Sequence, residues 1–156
     1  MSLILTAICL TGVYVLIFVW IKRTGSDRIE LEQHSITTEE LHSLLASQKE
    51  VLLFDVRQPL DLLAYPEIIP GARRISPKEV LARPSLIPEE KEAVVYCTCP
   101  GDKTSRAILR RALAMHFSQI KFLRGGLAAW KANGYPVEPY REVFHLYDPS
   151  LTPRSG

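Results

Sequence analysis

The sequence predicts an α/β domain, a parallel sheet with helices on both faces, preceded by a single transmembrane helix. Three observations carry this expectation. Short apolar runs, VLLFDV at Val51–Val56, AVVYC at Ala93–Cys97 and IKFL at Ile120–Leu123, alternate with segments of helical spacing. Strands joined through helices lie parallel in a sheet that is covered on both faces, and fully buried strands read as unbroken apolar runs. Separately, Leu3 to Ile21, LILTAICLTGVYVLIFVWI, is 19 residues without a charge, the length that crosses a bilayer core.

In chain order, Trp20 closes the apolar segment and Lys22 and Arg23 follow at once, an aromatic ring at headgroup level and then basic residues. Basic residues flank the segment on its C-terminal side only, which places the remaining chain in the cytoplasm by the positive-inside rule. A cleaved signal peptide would need a positive start and small residues before a cleavage site. Met1-Ser2-Leu3 offers no positive charge, and Ile8 before Cys9 does not suit a lipoprotein site. Cys9 is therefore a membrane-buried bystander. KRTGSD, Lys22–Asp27, is a short polar tether.

Thr37 and Glu40 make a capping box that opens the helix TEELHSLLASQ, with Leu41, Leu44 and Leu45 on one face. After the first strand run, Arg57 to Arg74 holds three prolines and a Pro70-Gly71 turn, hence mostly loop with at most one helical turn. Pro77–Arg83 is a short helix with proline in its first turn. Ser105–His116 has its apolar stripe at Ile108, Leu109, Ala112, Leu113 and Met115. GGLAAWKAN is a short helix stopped by Gly134, with Pro136 behind it. This gives an anchor at 1–23, a domain at 24–139 and a tail at 140–156.

Composition narrows the function. A formal net charge of +2 over 156 residues carries no basic excess of the kind nucleic acid requires. Three cysteines, odd in number and unevenly placed, form no disulfide framework and suit a reducing compartment. Cys97 and Cys99 supply two ligands with no Cys or His cluster to complete a zinc site. His34, His42, His116 and His145 lie in separate elements and fit surface or packing roles. Gly125-Gly126 is an isolated tight turn before a helix, not a nucleotide loop.

The chemistry concentrates in VVYCTCPGDKTSR, Val94–Arg106. In a parallel sheet, ligands bind at the carboxyl ends of the strands, where loops enter helix N-termini. Cys97 ends a strand, and a helix begins near Thr104 or Ser105. Unpaired amides and partial positive charge at that helix start lower a thiol pKa and attract an anion. Lys103 and Arg106 add to the positive field. Against this stands the reading of Cys97 as a small apolar residue at a strand end.

FDVRQPLDLLAYPEIIPGARRI, then VVYC with its loop and helix, then FLRGGLAAWKANGYPV, resembles the rhodanese family in order and spacing over roughly Ile29 to Pro139. Its most specific pieces are Asp55-Val56-Arg57, Ile69-Pro70-Gly71-Ala72, and Leu123–Trp130 followed by Gly134-Tyr135-Pro136. The resemblance implies a sulfurtransferase without metal or organic cofactor. A cysteine at the end of the central strand takes sulfane sulfur from a small anionic donor such as thiosulfate. It then passes the persulfide sulfur to a thiol or protein acceptor. The substrate-binding loop implied here is Pro100, Gly101, Asp102, Lys103, Thr104, Ser105 and Arg106.

Two departures from the family pattern matter. Pro66-Glu67-Ile68 stands where the family carries Gly-His before its turn, so no histidine role is carried over. The active loop is two residues longer than usual. Measured from the strand end, Cys97 takes the catalytic place; measured back from Thr104-Ser105, Cys99 does. The strand end is the firmer ruler because a loop absorbs an insertion at small entropic cost. Cys97 is thus the expected nucleophile, with Cys99 a second thiol or the alternative nucleophile. A Cys97–Cys99 disulfide would be strained and labile. Two other functions fit the same fold. An enlarged loop suits a phosphatase or arsenate reductase, although Arg106 follows Cys97 by nine residues and Cys99 by seven. A non-catalytic partner-binding module at the membrane is the other.

Overall fold

The computed structural model describes residues 2–141 except residue 48, with side chains at 2–11, 23, 24, 26–28 and 30 excluded. Of the tail expected at 140–156, residues 142–156 therefore lie outside the described residues. The chain forms two compact units, residues 1–35 and 36–156.

The first unit is one long helix, α1 (Ser2–Gln33). The tether expected at Lys22–Asp27 is helical backbone instead. A single glycine in a helix interior costs only about 1 kcal/mol, and Gly25 alone does not stop it. From Val13 to Ile21 the apolar side chains are each half or more exposed, on every side of the helix. Among the described residues no helix is long and apolar enough to cross a membrane; the span expected at Leu3–Ile21 falls partly on side chains that are not described.

The second unit is built on a five-stranded sheet. Its strands are β1 (Ser35–Ile36), β2 (Leu52–Asp55), β4 (Arg73–Arg74), β5 (Ala93–Tyr96) and β6 (Ile120–Leu123), in the order β1-β6-β5-β2-β4. The pairs β2–β5, β5–β6 and β2–β4 are parallel, with Asp55 opposite Tyr96 and Arg74. The three expected strand runs are thus the three central strands. The two outer strands are two residues each, too short to leave a periodic signal.

The connecting helices are α2 (Thr38–Ala46), α3 (Pro59–Ala64), α4 (Pro77–Ala82), α5 (Lys103–Leu113) and α6 (Gly126–Ala132). The capping box at Thr37 and Glu40 is formed as the sequence predicts. Alternation along the strands divides the core into two faces. Leu53, Val94, Tyr96 and Leu123 pack with Leu41 of α2 and with Leu127 and Trp130 of α6. Phe54, Val95 and Phe122 are equally buried and point the other way, toward the side on which α5 contacts β6 and α4.

Trp130 is fixed by its Nε1–H donating to the Pro136 carbonyl at 2.8 Å. His42 stacks on Tyr135 with ring centroids 4.3 Å apart, a packing role. A second, two-stranded antiparallel sheet pairs β3 (Glu67–Ile68) with β7 (Glu138–Pro139). It ties the end of the domain to the proline-rich segment that follows β2.

Candidate functional site

The central strand β5 ends at Tyr96, and Tyr96 is held firmly. Its hydroxyl donates to Asp55 Oδ2 at 3.3 Å and accepts the Ile69 amide at 3.2 Å. Asp55 is in turn clamped by Arg57, whose guanidinium is fully buried and contacts Asp55 Oδ2 at 2.5 Å. The remaining Arg57 donors reach the carbonyls of Tyr65 at 2.9 Å and Glu67 at 2.8 Å. A buried charge is tolerated only when it is paired and its donors are satisfied, and this one is. The Asp55-Val56-Arg57 segment therefore fixes both the strand end and the loop beside it.

Cys97 follows Tyr96 directly and is 1% exposed. Its carbonyl accepts the Leu127 amide at 3.2 Å, so the start of α6 is docked on the cysteine backbone. Gly126 makes the docking possible. Its φ is +52°, and a Cβ there would lie 1.8 Å from the Cys97 carbonyl oxygen. Only glycine fits.

Beyond Cys97 the loop turns back on itself. Pro100–Asp102 form a 3-10 turn with the Asp102 amide on the Cys99 carbonyl at 3.1 Å. Gly101 and Asp102 both take left-handed conformations, at φ 67° and 55°, a region that aspartate tolerates better than most residues. The buried Asp102 carboxylate accepts the Gly125 amide at 3.0 Å and ties the loop to the α6 entrance.

This turn brings the two thiols together over the first turn of α5. Cys97 Sγ and Cys99 Sγ are 2.9 Å apart. The Thr104 amide donates to Cys99 Sγ at 3.2 Å, and the Thr104 hydroxyl lies 3.4 Å from the same sulfur. These are donors that a helix N-terminus leaves unpaired. Burial tends to raise the Cys99 thiol, but hydrogen bonds from Cys97 and from the Thr104 hydroxyl and amide outweigh it, holding the thiol below its ordinary value. Cys97 goes the other way: burial, then its contact with Cys99, push it up to about 11, against an opposing pull from the Ser105 hydroxyl and amide. The two thiols therefore differ in acidity: Cys99 is the more acidic, and Cys97 holds its proton more tightly.

The rest of the expected loop divides. Lys103 is exposed, Thr104 half-buried and Ser105 fully buried. Arg106 lies with its guanidinium carbon 4.6 Å from the centre of the Phe122 ring, a cation–π stack. The Thr98 hydroxyl is buried with no hydrogen-bond partner among the described residues. Buried donors without partners are rare, and this one lies between the two cysteines in sequence. Thr98, Gly126 and the Asp55–Arg57–Tyr96 clamp were not singled out as site residues from the sequence. The DVR and GG spacing pointed to Asp55, Arg57 and Gly126, and no sequence signal pointed to Thr98. Among the described residues no group of His, Cys, Asp and Glu could hold a metal ion.

Comparison with known proteins agrees with this geometry. The sequence model of the Rhodanese-like domain matches residues 37–133. A protein described as a sulfurtransferase, from Allochromatium vinosum, is 30% identical over 104 residues, which cover 67% of this chain and 94% of that one. A solved protein from Lactobacillus plantarum superposes with a TM-score of 0.60 at 24% identity, covering 74% of this chain and 98% of that one. A protein from Rhodopseudomonas palustris, described as of unknown function and a possible tyrosine phosphatase, superposes with a TM-score of 0.57 at 23% identity over 72% of this chain and 93% of its own. These last two show the fold alone.

Proposed function

Because this chain belongs to the rhodanese-like domain family, we propose that it is a membrane-anchored sulfurtransferase working through a persulfide in the Cys97–Arg106 loop. Sulfane sulfur passes from a small anionic donor such as thiosulfate to a thiol or protein acceptor. The similarity to a sulfurtransferase from Allochromatium vinosum supports the reaction class. The single observation that carries the reading is the pair of thiols 2.9 Å apart with an α5 amide on one of them.

Sequence spacing favours Cys97 as nucleophile; the hydrogen bonding favours Cys99. A thiolate is the attacking species, and Cys99 is both the sulfur held below its ordinary pKa and the more accessible of the two. In the first step the Cys99 thiolate attacks the outer sulfur of thiosulfate. A Cys99–S bond forms, the bond between the two thiosulfate sulfurs breaks, and sulfite leaves with the electron pair. Thr104, the orphaned Thr98 hydroxyl and the α5 N-terminus stabilise anionic donor and persulfide. The persulfide terminus is then taken by an acceptor thiolate, which regenerates Cys99.

A phosphatase on this fold needs a guanidinium over its thiolate, and Arg106 is stacked on Phe122 instead. A partner-binding module without catalysis gives no reason for a thiol held below its ordinary pKa beside a second thiol. The anchor rests on the 19 uncharged residues from Leu3 to Ile21. At 1.5 Å per residue they span roughly 28 Å, close to the hydrocarbon thickness.

The test is sulfite release from thiosulfate with a thiol acceptor. Cys99→Ser is expected to lower the rate by about 1,000-fold or to background, as loss of a nucleophile does. Full activity in Cys99→Ser with loss in Cys97→Ser would move the nucleophile to Cys97. Full activity in both would remove this loop from the chemistry.

A further inference from the structure

Cys97 has no task in simple sulfur relay, yet it is buried against the reacting sulfur at 2.9 Å, as close as or closer than the roughly 3–3.5 Å of a near-attack contact. We propose that Cys97 is a resolving thiol that discharges the Cys99 persulfide as hydrosulfide, making the protein a sulfide-releasing, dithiol-dependent reductase of sulfane sulfur. The proposal rests on the persulfide reading above and goes beyond it by naming the product and a second co-substrate class.

The step balances within the loop. As Cys97 hands its proton to the terminal sulfur of the persulfide, the thiolate so formed attacks Cys99 Sγ, the inner sulfur. A Cys97–Cys99 bond forms and the bond to the terminal sulfur breaks. The terminal sulfur leaves with the electron pair and takes the Cys97 proton, departing as hydrosulfide. Two thiol sulfurs are oxidised, and the sulfane sulfur is reduced by two electrons. An external dithiol then reduces the disulfide and restores both thiols.

Three features fit this step. Cys97 keeps its proton at neutral pH, because burial and the Cys99 contact push the thiol up to about 11. The proton is therefore available to the leaving sulfur. The position of Cys97 is over-determined from its carbonyl side by Leu127 and Gly126. A disulfide between residues two apart is strained, and strained disulfides are readily reduced, which suits an intermediate that must be reset each cycle. With Thr98 the only residue between them, the ring that closes is small. An acceptor thiol from outside must approach a half-buried Cys99, whereas Cys97 is already in place.

The experiment uses the full chain in detergent, reduced, freed of reductant and loaded in a single turnover with thiosulfate, or with a small-molecule alkyl persulfide. Sulfite, hydrosulfide and the intact mass are read together. Wild type is expected to release one hydrosulfide per sulfite and to end two hydrogens lighter, as the disulfide. Addition of a dithiol should then permit repeated turnover. Cys97→Ser is expected to retain the extra sulfur on Cys99 and release no hydrosulfide. Wild type that holds a stable persulfide without hydrosulfide or disulfide would overturn this proposal and leave the sulfur-transfer reading intact. Wild type that takes no sulfur from either donor would overturn both. The wild-type masses decide the matter even where the serine variant fails to fold.

Discussion

At the scale of single residues, the site is a matching of sulfurs to donors. Cys99 meets the hydroxyl and amide of Thr104, while Cys97 feels those of Ser105 from a more buried place. Thiolate is the reactive form, so alkylation by iodoacetamide should speed up as pH rises through each thiol. Cys99 is expected to react first, with a midpoint below that of an ordinary thiol, and Cys97 to contribute only as pH nears 11. Thr104→Val removes the hydroxyl and keeps the amide. Its Cys99 midpoint should move upward, and its rate at neutral pH should fall by about tenfold or more, the worth of one hydrogen bond to an anion. Peptide mapping of the labelled sites after a short pulse at each pH measures this. Equal labelling of both cysteines at neutral pH would contradict the assignment of charge. The presence of two thiols on a strand–loop–helix junction was legible from CTC and TSR. Which thiol is the more acidic was not, because it depends on the left-handed pair Gly101-Asp102 that folds Cys99 back under Thr104.

At the scale of elements, the loop after β5 is held by the entrance of α6 rather than by α5 alone. The Asp102 carboxylate accepts from Gly125, and the Cys97 carbonyl accepts from Leu127. Gly126→Ala would push a methyl group into the Cys97 carbonyl and place alanine at a positive φ. A loss of about 3 kcal/mol or more is expected from the clash and strain together. Urea denaturation should register it as a lower midpoint at unchanged slope. A midpoint within error of wild type would mean that α6 does not rest on the cysteine backbone. The GG turn was visible in the sequence as a helix start, but its contact with a residue 29 positions earlier was not. Nor was the burial of Arg57, whose donors go to carbonyls of a segment that the sequence gives no reason to call ordered.

At the scale of the whole chain, the two units raise the question of where the chemistry happens. From Val13 to Ile21 the helix exposes apolar side chains all round, a pattern that suits lipid rather than water. The full chain is expected to stay with membranes through an alkaline carbonate wash. The double variant Val15→Lys, Leu16→Lys is expected to leave them, since each lysine at mid-span costs about 2.5 to 3.5 kcal/mol. A membrane-impermeant maleimide should reach Cys99 only after the cells are opened. Wild type found in the soluble fraction would remove the anchor, and labelling in intact cells would reverse its orientation. The sequence by itself determined the α/β architecture, the three central strands, the capped α2 and the loop that bears the thiols. Each of these is written in local apolar periodicity or local turn chemistry, which act over a few residues. Only the tertiary structure decided the edge strands, the buried Asp55–Arg57–Tyr96 clamp and the difference in acidity between Cys97 and Cys99. Those arise where segments distant in sequence remove water from one another, and burial and hydrogen bonding at such contacts have no local signature.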